Sequence, residues 1–191
     1  MTTDLKEQVL EASVQLIAER GLAGLSMREV ARRAGVSHQA PYHYFDDRAA
    51  ILAALVERGF GRLAERMEDA SRTGTAKHRL ERVGQAYVAF ALEEPVYFRL
   101  MFRPELTELK RFPTAGAAGA LAFSVLQRLV GEKAGARIEQ AKREATVSMH
   151  WSLVHGLATL LVDGPLGAEF PDPAVRDRHV EYVLRLFTED A

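Results

Sequence analysis

An all-α chain in two unequal parts is what this sequence predicts, on three observations. Apolar residues return at steps of three and four through most of its length, helix-start and helix-stop residues punctuate those runs, and no segment alternates apolar and polar residues with a period of two. With 191 residues, 48% of them hydrophobic and 27% charged, the chain can bury a sizeable core. Its formal net charge of -1 excludes a uniformly basic nucleic-acid coat, so any contact with a polyanion must be local. The absence of cysteine excludes disulfides, thiolate metal sites and thiol nucleophiles, and is compatible with a reducing compartment. The N-terminus lacks the basic and apolar regions of an export signal, and no stretch approaches the roughly 20 apolar residues of a membrane span. The expectation is a cytoplasmic protein without membrane contact.

A first helix spans Asp4 to Arg20, with Leu5, Val9, Ala12 and Leu16 on one face, and Gly21 closes it. After a Leu-Ala-Gly-Leu connection, Ser26 and Glu29 form a capping box between Leu25 and Val30, which starts a second helix. Gly35 supplies the left-handed residue that ends it, and Ser37 is placed to cap a third short helix running to about Phe45. Asp46 and Asp47 then cap a long helix carrying Ile51, Leu52, Leu55, Val56, Phe60, Leu63 and Met67. Ser71 to Lys77, with Gly74, reads as a linker.

Helix resumes through Leu80, Val83, Tyr87, Val88 and Phe90 to Glu94-Pro95, and a short aromatic segment, Val96 to Phe102, follows before Pro104. Beyond Pro113 an alanine- and glycine-rich stretch passes into Leu121, Phe123, Leu126 and Leu129 and breaks at Gly131. A further helix is expected from near Arg137 through Trp151 to Val162, stopped by Asp163-Gly164-Pro165. The last helix takes Asp172 as its cap and Pro173 at its first position.

Two short helices joined by the turn Gly35-Val36-Ser37, set behind a stabilising first helix, match a DNA-binding helix-turn-helix. The segment His38-Gln39-Ala40-Pro41-Tyr42-His43-Tyr44 is too polar on one side for a buried helix and short enough to enter a major groove. In order and spacing, Leu25-Ser26-Met27-Arg28-Glu29-Val30-Ala31, Ala34-Gly35-Val36-Ser37, Pro41-Tyr42-His43-Tyr44-Phe45, Arg48 and Ile51-Leu52 resemble the N-terminal domain of the TetR family of transcriptional regulators. The likeness covers roughly the first quarter of the chain.

The resemblance implies a helix-turn-helix domain at 1–47 and a helical ligand-binding and dimerisation domain at 48–191. It implies that His38, Gln39, Ala40 and Tyr42 face base edges while Ser26, Arg28, Ser37, His43, Tyr44 and Arg48 approach phosphates of double-stranded operator DNA. The chemistry suits those roles, since Gln pairs bidentately with adenine, an alanine methyl meets the thymine methyl, and cations and helix N-termini favour phosphate. The family usually carries leucine where this chain has Pro41. If Ser37 caps the helix, proline there removes only the first intrahelical bond. Packing within the small domain is the competing role for Tyr42 and Tyr44, and the expected one for Phe45. Arg32 and Arg33 read as solvated helix-face charges.

For the C-terminal part the resemblance implies a homodimer in which the last two helices of each subunit pair, and repression relieved by a small-molecule effector, with no cofactor and no metal. Tyr87, Phe90, Phe98, Met101, Phe102, Phe123, Trp151 and His155 are the candidate pocket residues; Met149 belongs to the same apolar set, and each of these side chains has core packing as its alternative. Trp151-Ser152-Leu153-Val154-His155-Gly156 resembles the Trp-x-x-x-His-Gly signature of one subclass, in which Trp151 and His155 share a helix face and Gly156 lets a neighbouring helix approach. Two rival functions stand beside this one. An enzyme would need a nucleophile-base set or metal ligands, and His150 and His155, five residues apart, sit poorly for one metal on one helix face. The second is a helical interaction protein that keeps a helix-turn-helix without sensing a small molecule, responding to another protein or only to its own concentration.

Overall fold

The structure, a computed structural model, describes residues 5–106, 110–135 and 138–190. Among the described residues it is helical throughout, with no strand, as the periodicity predicts. The helices are α1 (Leu5–Arg20), α2 (Met27–Ala34), α3 (Arg48–Ala70), α4 (Ala76–Glu93), α5 (Pro95–Met101), α6 (Pro113–Ala134), α7 (Gln140–Val162), α8 (Pro165–Glu169) and α9 (Pro173–Asp190). The expected helix starts at Asp4 and Arg137 lie outside the described residues. The chain divides into two compact units, the first comprising residues 1–60 and 96–119 and the second residues 61–95 and 120–191.

In the first unit, α1 packs on α2, and both hold the short segment that follows. Val9, Leu10 and Leu16 of α1 are buried, as are Leu25, Val30, Ile51 and Leu55, in a core where each fully buried aliphatic side chain contributes about 1.5 to 3 kcal/mol. The Ser26 hydroxyl accepts from the Glu29 amide at 3.2 Å, which starts α2. The Glu29 carboxylate turns to Arg20 and Arg32. Gly35, at φ 68° and ψ 28°, ends the helix, and the Val36 amide reaches back to the Ala31 carbonyl at 3.0 Å. Of the two acids before α3, Asp47 accepts from the Ala50 amide at 2.9 Å and caps the helix. In the same unit α5 lies tight against Gly59, where a Cβ would fall 2.7 Å from Met101 Sδ.

In the second unit α4 packs on α7 and α9. Gly84 of α4 permits that approach, since a Cβ there would sit 3.0 Å from Leu184 and 3.3 Å from Val154. Thr75 and Asp172 cap α4 and α9 through the amides of His78, and of Ala174 and Val175. One expected break is displaced: α6 absorbs the whole Ala/Gly stretch and passes through Gly131 to end at Ala134, with Gly135 left-handed at φ 76°. Alanine's high helix propensity and a terminating glycine four residues later account for the difference. The short helix α8 was not expected; Pro165 opens it.

Another expectation is corrected by α7, which is long and apolar enough by length and composition to cross a membrane. Much of its apolar surface forms a stripe on one side, while the opposite side packs on α4. Within the packed side, His150 is buried, its Nδ1–H donates to the Thr146 carbonyl at 2.8 Å, and its ring meets the Phe187 edge at 4.8 Å. Nε2 is buried and lacks a hydrogen-bond partner. Burial pushes its pKa below the ordinary imidazole value; the Thr146 bond opposes the shift and the positive charge of Lys133 adds to it.

Ser26→Ala is expected to lower the unfolding free energy by about 1 kcal/mol in urea titrations, because an amide of α2 loses its cap. For His150 the fold favours the neutral ring, so the unfolded chain takes up the proton first. Its contribution is therefore intact above pH 6.5 and is lost as pH falls from there through the lower folded pKa. Urea midpoints of the wild type should fall between pH 7 and pH 5, and His150→Asn should show a shallower decline.

Candidate functional site

The first unit presents a compact polar surface on an apolar footing. After α2, residues 38–39 make a turn and Ala40–His43 form a 3-10 segment rather than the α-helix expected from Ser37 to Phe45. The Ala40 amide donates to the Ser37 carbonyl at 3.0 Å, Tyr42 to Gln39 at 3.1 Å and Tyr44 to Pro41 at 3.1 Å, all in the three-residue register. Pro41 has no amide hydrogen to give Ser37, so the Ser37 carbonyl is taken by the residue before it. Ser37 is accordingly not the side-chain cap of a helix here; Gln39 occupies the cap position and makes no side-chain cap bond.

Ala40, Pro41 and Phe45 are buried and face inward. Ser37, His38, Gln39 and His43 are exposed, with Tyr42 43% and Tyr44 47% accessible. Ala40 is therefore a correction to the expected base-facing set: at 9% exposure its methyl belongs to the core. Tyr42 and Tyr44, for which core packing was the alternative, stand outside, while Phe45 takes the core position expected of it. The His38 and Tyr42 rings lie 5.9 Å apart on the outer surface.

The remaining candidates surround this segment. Ser26 and Arg28 are exposed at the start of α2, where unpaired amides give a partial positive charge. Arg48, exposed at the start of α3, donates to the Leu22 carbonyl at 2.7 Å and so ties that helix to the connection after α1. Arg33 pairs with Glu19 and Arg32 with Glu29, and each carboxyl is held below its ordinary range by its arginine. The backbone amide of Ala50 and the guanidinium of Arg111, 2.7 Å away, lower the pKa of Asp47, keeping that carboxylate at the cap. Arg111 is a positioning partner that no local signal in the sequence announces, since it lies 64 residues away.

The eight expected effector residues divide between the units. Phe98, Met101 and Phe102 belong to the first, where Phe102 meets Phe60 at 5.7 Å and Phe98 at 5.5 Å, and Met101 covers Gly59. Tyr87, Phe90, Phe123, Trp151 and His155 belong to the second. Phe90 is fully buried, with the Arg66 guanidinium 5.5 Å from its ring centroid, so core packing is its role.

The other four assemble. Trp151 hydrogen-bonds the Tyr87 hydroxyl, which lies 2.9 Å from His155 Nδ1. Phe123 packs on Trp151 at 5.4 Å, and Trp151 lies 6.2 Å from His155. Burial raises the Tyr87 pKa, against the Trp151 bond, and burial lowers that of His155, so both are neutral at physiological pH. Indole is a donor only, which makes the Tyr87 oxygen its acceptor and leaves the phenolic proton for His155 Nδ1. The chain of bonds places the histidine proton on Nε2. Gly156 departs from expectation within this chain, because a Cβ there would meet nothing within 4 Å. Among the described residues no group of three or more His, Asp or Glu side chains is placed to hold a metal ion.

Comparison with known proteins follows these features. The family model for bacterial regulatory proteins of the tetR family matches residues 9–55, and that for the tetracyclin repressor-like C-terminal domain matches residues 80–187. The fatty acid metabolism regulator protein of Bacillus subtilis (strain 168) is 36% identical over 74 residues, 38% of each chain. The HTH-type transcriptional repressor NemR of Escherichia coli (strain K12) is 29% identical over 76 residues, 40% of this chain and 38% of that protein. The chain thus spans well under half the length of either curated relative. A protein of unknown function from Rhodococcus sp. RHA1 superposes with a TM-score of 0.79 at 30% identity over 98% of this chain and 95% of that one. FadR from Bacillus subtilis, solved in complex with stearoyl-CoA, superposes at 0.72 with 21% identity over 93% and 96%, a likeness of fold alone. Two family models that together take in the helix-turn-helix and most of the second unit establish that this chain belongs to the TetR family of bacterial regulatory proteins.

Proposed function

We propose that this chain is a sequence-specific, homodimeric DNA-binding regulator, a repressor that leaves its operator when a small apolar effector binds. The observation that carries the reading is the exposed set Ser37, His38, Gln39, Tyr42, His43 and Tyr44, presented on the buried footing of Ala40, Pro41 and Phe45. A protein with no partner at this surface has little reason to leave two tyrosines and a glutamine outside on a segment so firmly held. His38, Gln39 and Tyr42 read bases, while Ser26, Arg28, Ser37, His43, Tyr44 and Arg48 contact phosphate. The domain of residues 1–47 supplies the contact, and residues 48–191 dimerise and sense.

Dimerisation rests on matching stripes in the second unit. Met149, Leu153, Gly156 and Leu160 of α7 and Val175, His179, Tyr182 and Leu186 of α9 recur at the same intervals of four, three and four residues. Leu160 is 44% exposed and Tyr182 52%, so the stripe leaves apolar surface open to water, and the open space at Gly156 admits a second copy's helix. This stripe also supplies the apolar composition of α7, so we read the helix as an interface in a cytoplasmic protein rather than a membrane span. Two-fold symmetry then sets two recognition segments one helical repeat of DNA apart, about 34 to 36 Å or a multiple of it.

For the effector, the group Tyr87, Phe123, Trp151 and His155 gives an aromatic wall with one oriented imidazole N–H. It coincides with the Trp-x-x-x-His-Gly signature, which supports assigning the chain to that subclass. A FadR relative of the same fold holds stearoyl-CoA, and a largely apolar effector is the class this wall suits. The chain is not an enzyme on this reading, since both His150 and His155 are neutral, partly or wholly buried and committed to structural bonds.

Fluorescence anisotropy on a duplex selected from random sequence tests the DNA reading. Tyr42→Ala should abolish preference for that duplex over random DNA, whereas Arg28→Ala should weaken both and reduce the salt slope by about one. Unchanged isotherms for both variants would remove this surface from DNA binding. In sedimentation velocity, the double variant Leu160→Asp with Tyr182→Asp should be monomeric where the wild type is a dimer.

A further inference from the structure

Pro41 contributes no surface to a partner, yet it determines how the exposed residues around it are disposed. It is buried and has no amide hydrogen to give the Ser37 carbonyl, and the hydrogen bonds Ala40 to Ser37, Tyr42 to Gln39 and Tyr44 to Pro41 all run in the three-residue register. The Pro41 carbonyl accepts from both Tyr44 and Phe45, at 3.1 and 3.0 Å, so the segment returns to the core one residue after its last exposed side chain. An α-helix turns about 100° and rises about 1.5 Å per residue, a 3-10 helix about 120° and 2.0 Å. From Ala40 to His43 the difference accumulates to about 60° and 1.5 Å. A shift of that size is nearly half the rise between base pairs, and enough to exchange which base edge or phosphate a side chain meets.

We propose that Pro41 is a specificity-determining positioning residue: by holding residues 40–43 in the 3-10 register it sets the angle between His38 and Gln39 on one side and His43 and Tyr44 on the other, and thereby selects the operator sequence. This rests on the reading of residues 37–44 as the DNA-contacting segment. Restoring an amide at position 41 gives the Ser37 carbonyl a partner four residues on and releases the segment into an α-helical turn. The contacting side chains are unchanged by such a variant; only their relative rotation differs.

The full-length protein, its Pro41→Ala variant and its Pro41→Leu variant would each be put through selection from a random duplex library, with hydrogen exchange read at the new residue 41 amide. The expected result is a protected amide in the variants and a different consensus from the wild type's. Affinity for the wild-type site should fall at least tenfold, while each variant binds its own selected site within about threefold of the wild-type pair. Three results would overturn the proposal: the same consensus for all three proteins, an unprotected amide at position 41, or loss of folding in both variants, since the domain must tolerate either register. A wild type that selects no sequence at all would overturn the DNA reading itself, and the exchange experiment would still report whether Pro41 sets the register.

Discussion

The burial of Ala40, Pro41 and Phe45 is the constraint on which the functional surface of the first unit depends. These three side chains anchor a segment with hardly any regular structure of its own, only a turn and a few three-residue hydrogen bonds. Such a segment does not hold its shape alone in water. Around the anchor, α1 and α2 supply a core, the Ser26 and Asp47 caps fix where the flanking helices start, and Gly35 sets the direction in which the chain leaves α2. The exposed polar residues are thus presented rigidly although they sit on the least regular part of the unit. That division suits recognition, where a contact gains most from side chains already held in place.

The second unit is organised by a different kind of interaction. Trp151, Tyr87 and His155 form a directional chain in which each member's role follows from the others: indole can only donate, the buried phenol stays protonated and donates in turn, and the imidazole accepts that hydrogen bond at Nδ1. The chain links α4 to α7, the same pair that Gly84 brings close. His150, one turn and a residue earlier on α7, is buried with one ring nitrogen bonded to the Thr146 carbonyl and the other without a partner. Trp151, His155 and His150 thus all lie on the helix that also carries the apolar stripe.

Local signals carried much of the fold into view before any coordinates. Helical periodicity, Ser26, Gly35, Asp47, Asp172 and Pro173 each act over a few residues, so the starts and stops they dictate are found where the sequence places them. Gly131 misled because a helix-breaking glycine inside an alanine-rich run costs only about 1 kcal/mol, which the helix can absorb when a better stop follows at Gly135. The segment around Pro41 differs from expectation in its conformation. A single missing hydrogen-bond donor at Pro41 outweighed the helix that Ser37 and the flanking pattern suggested.

What the sequence by itself determined is the set of elements, their caps and the identity of the exposed polar segment, because hydrogen-bond caps and helical repeat are short-range properties written in neighbouring residues. Only the tertiary structure decided that Ala40 belongs to the core, that Arg111 holds Asp47 across 64 residues, and that Phe90 is packed inside while Trp151, Tyr87 and His155 are joined. The same holds for the apolar faces of α7 and α9: periodicity shows that a helix has more than one apolar side, but which side meets the chain's own core depends on where Gly84 lets α4 approach. Burial and long-range pairing are set by which surfaces meet in space, and a one-dimensional pattern holds no record of that meeting.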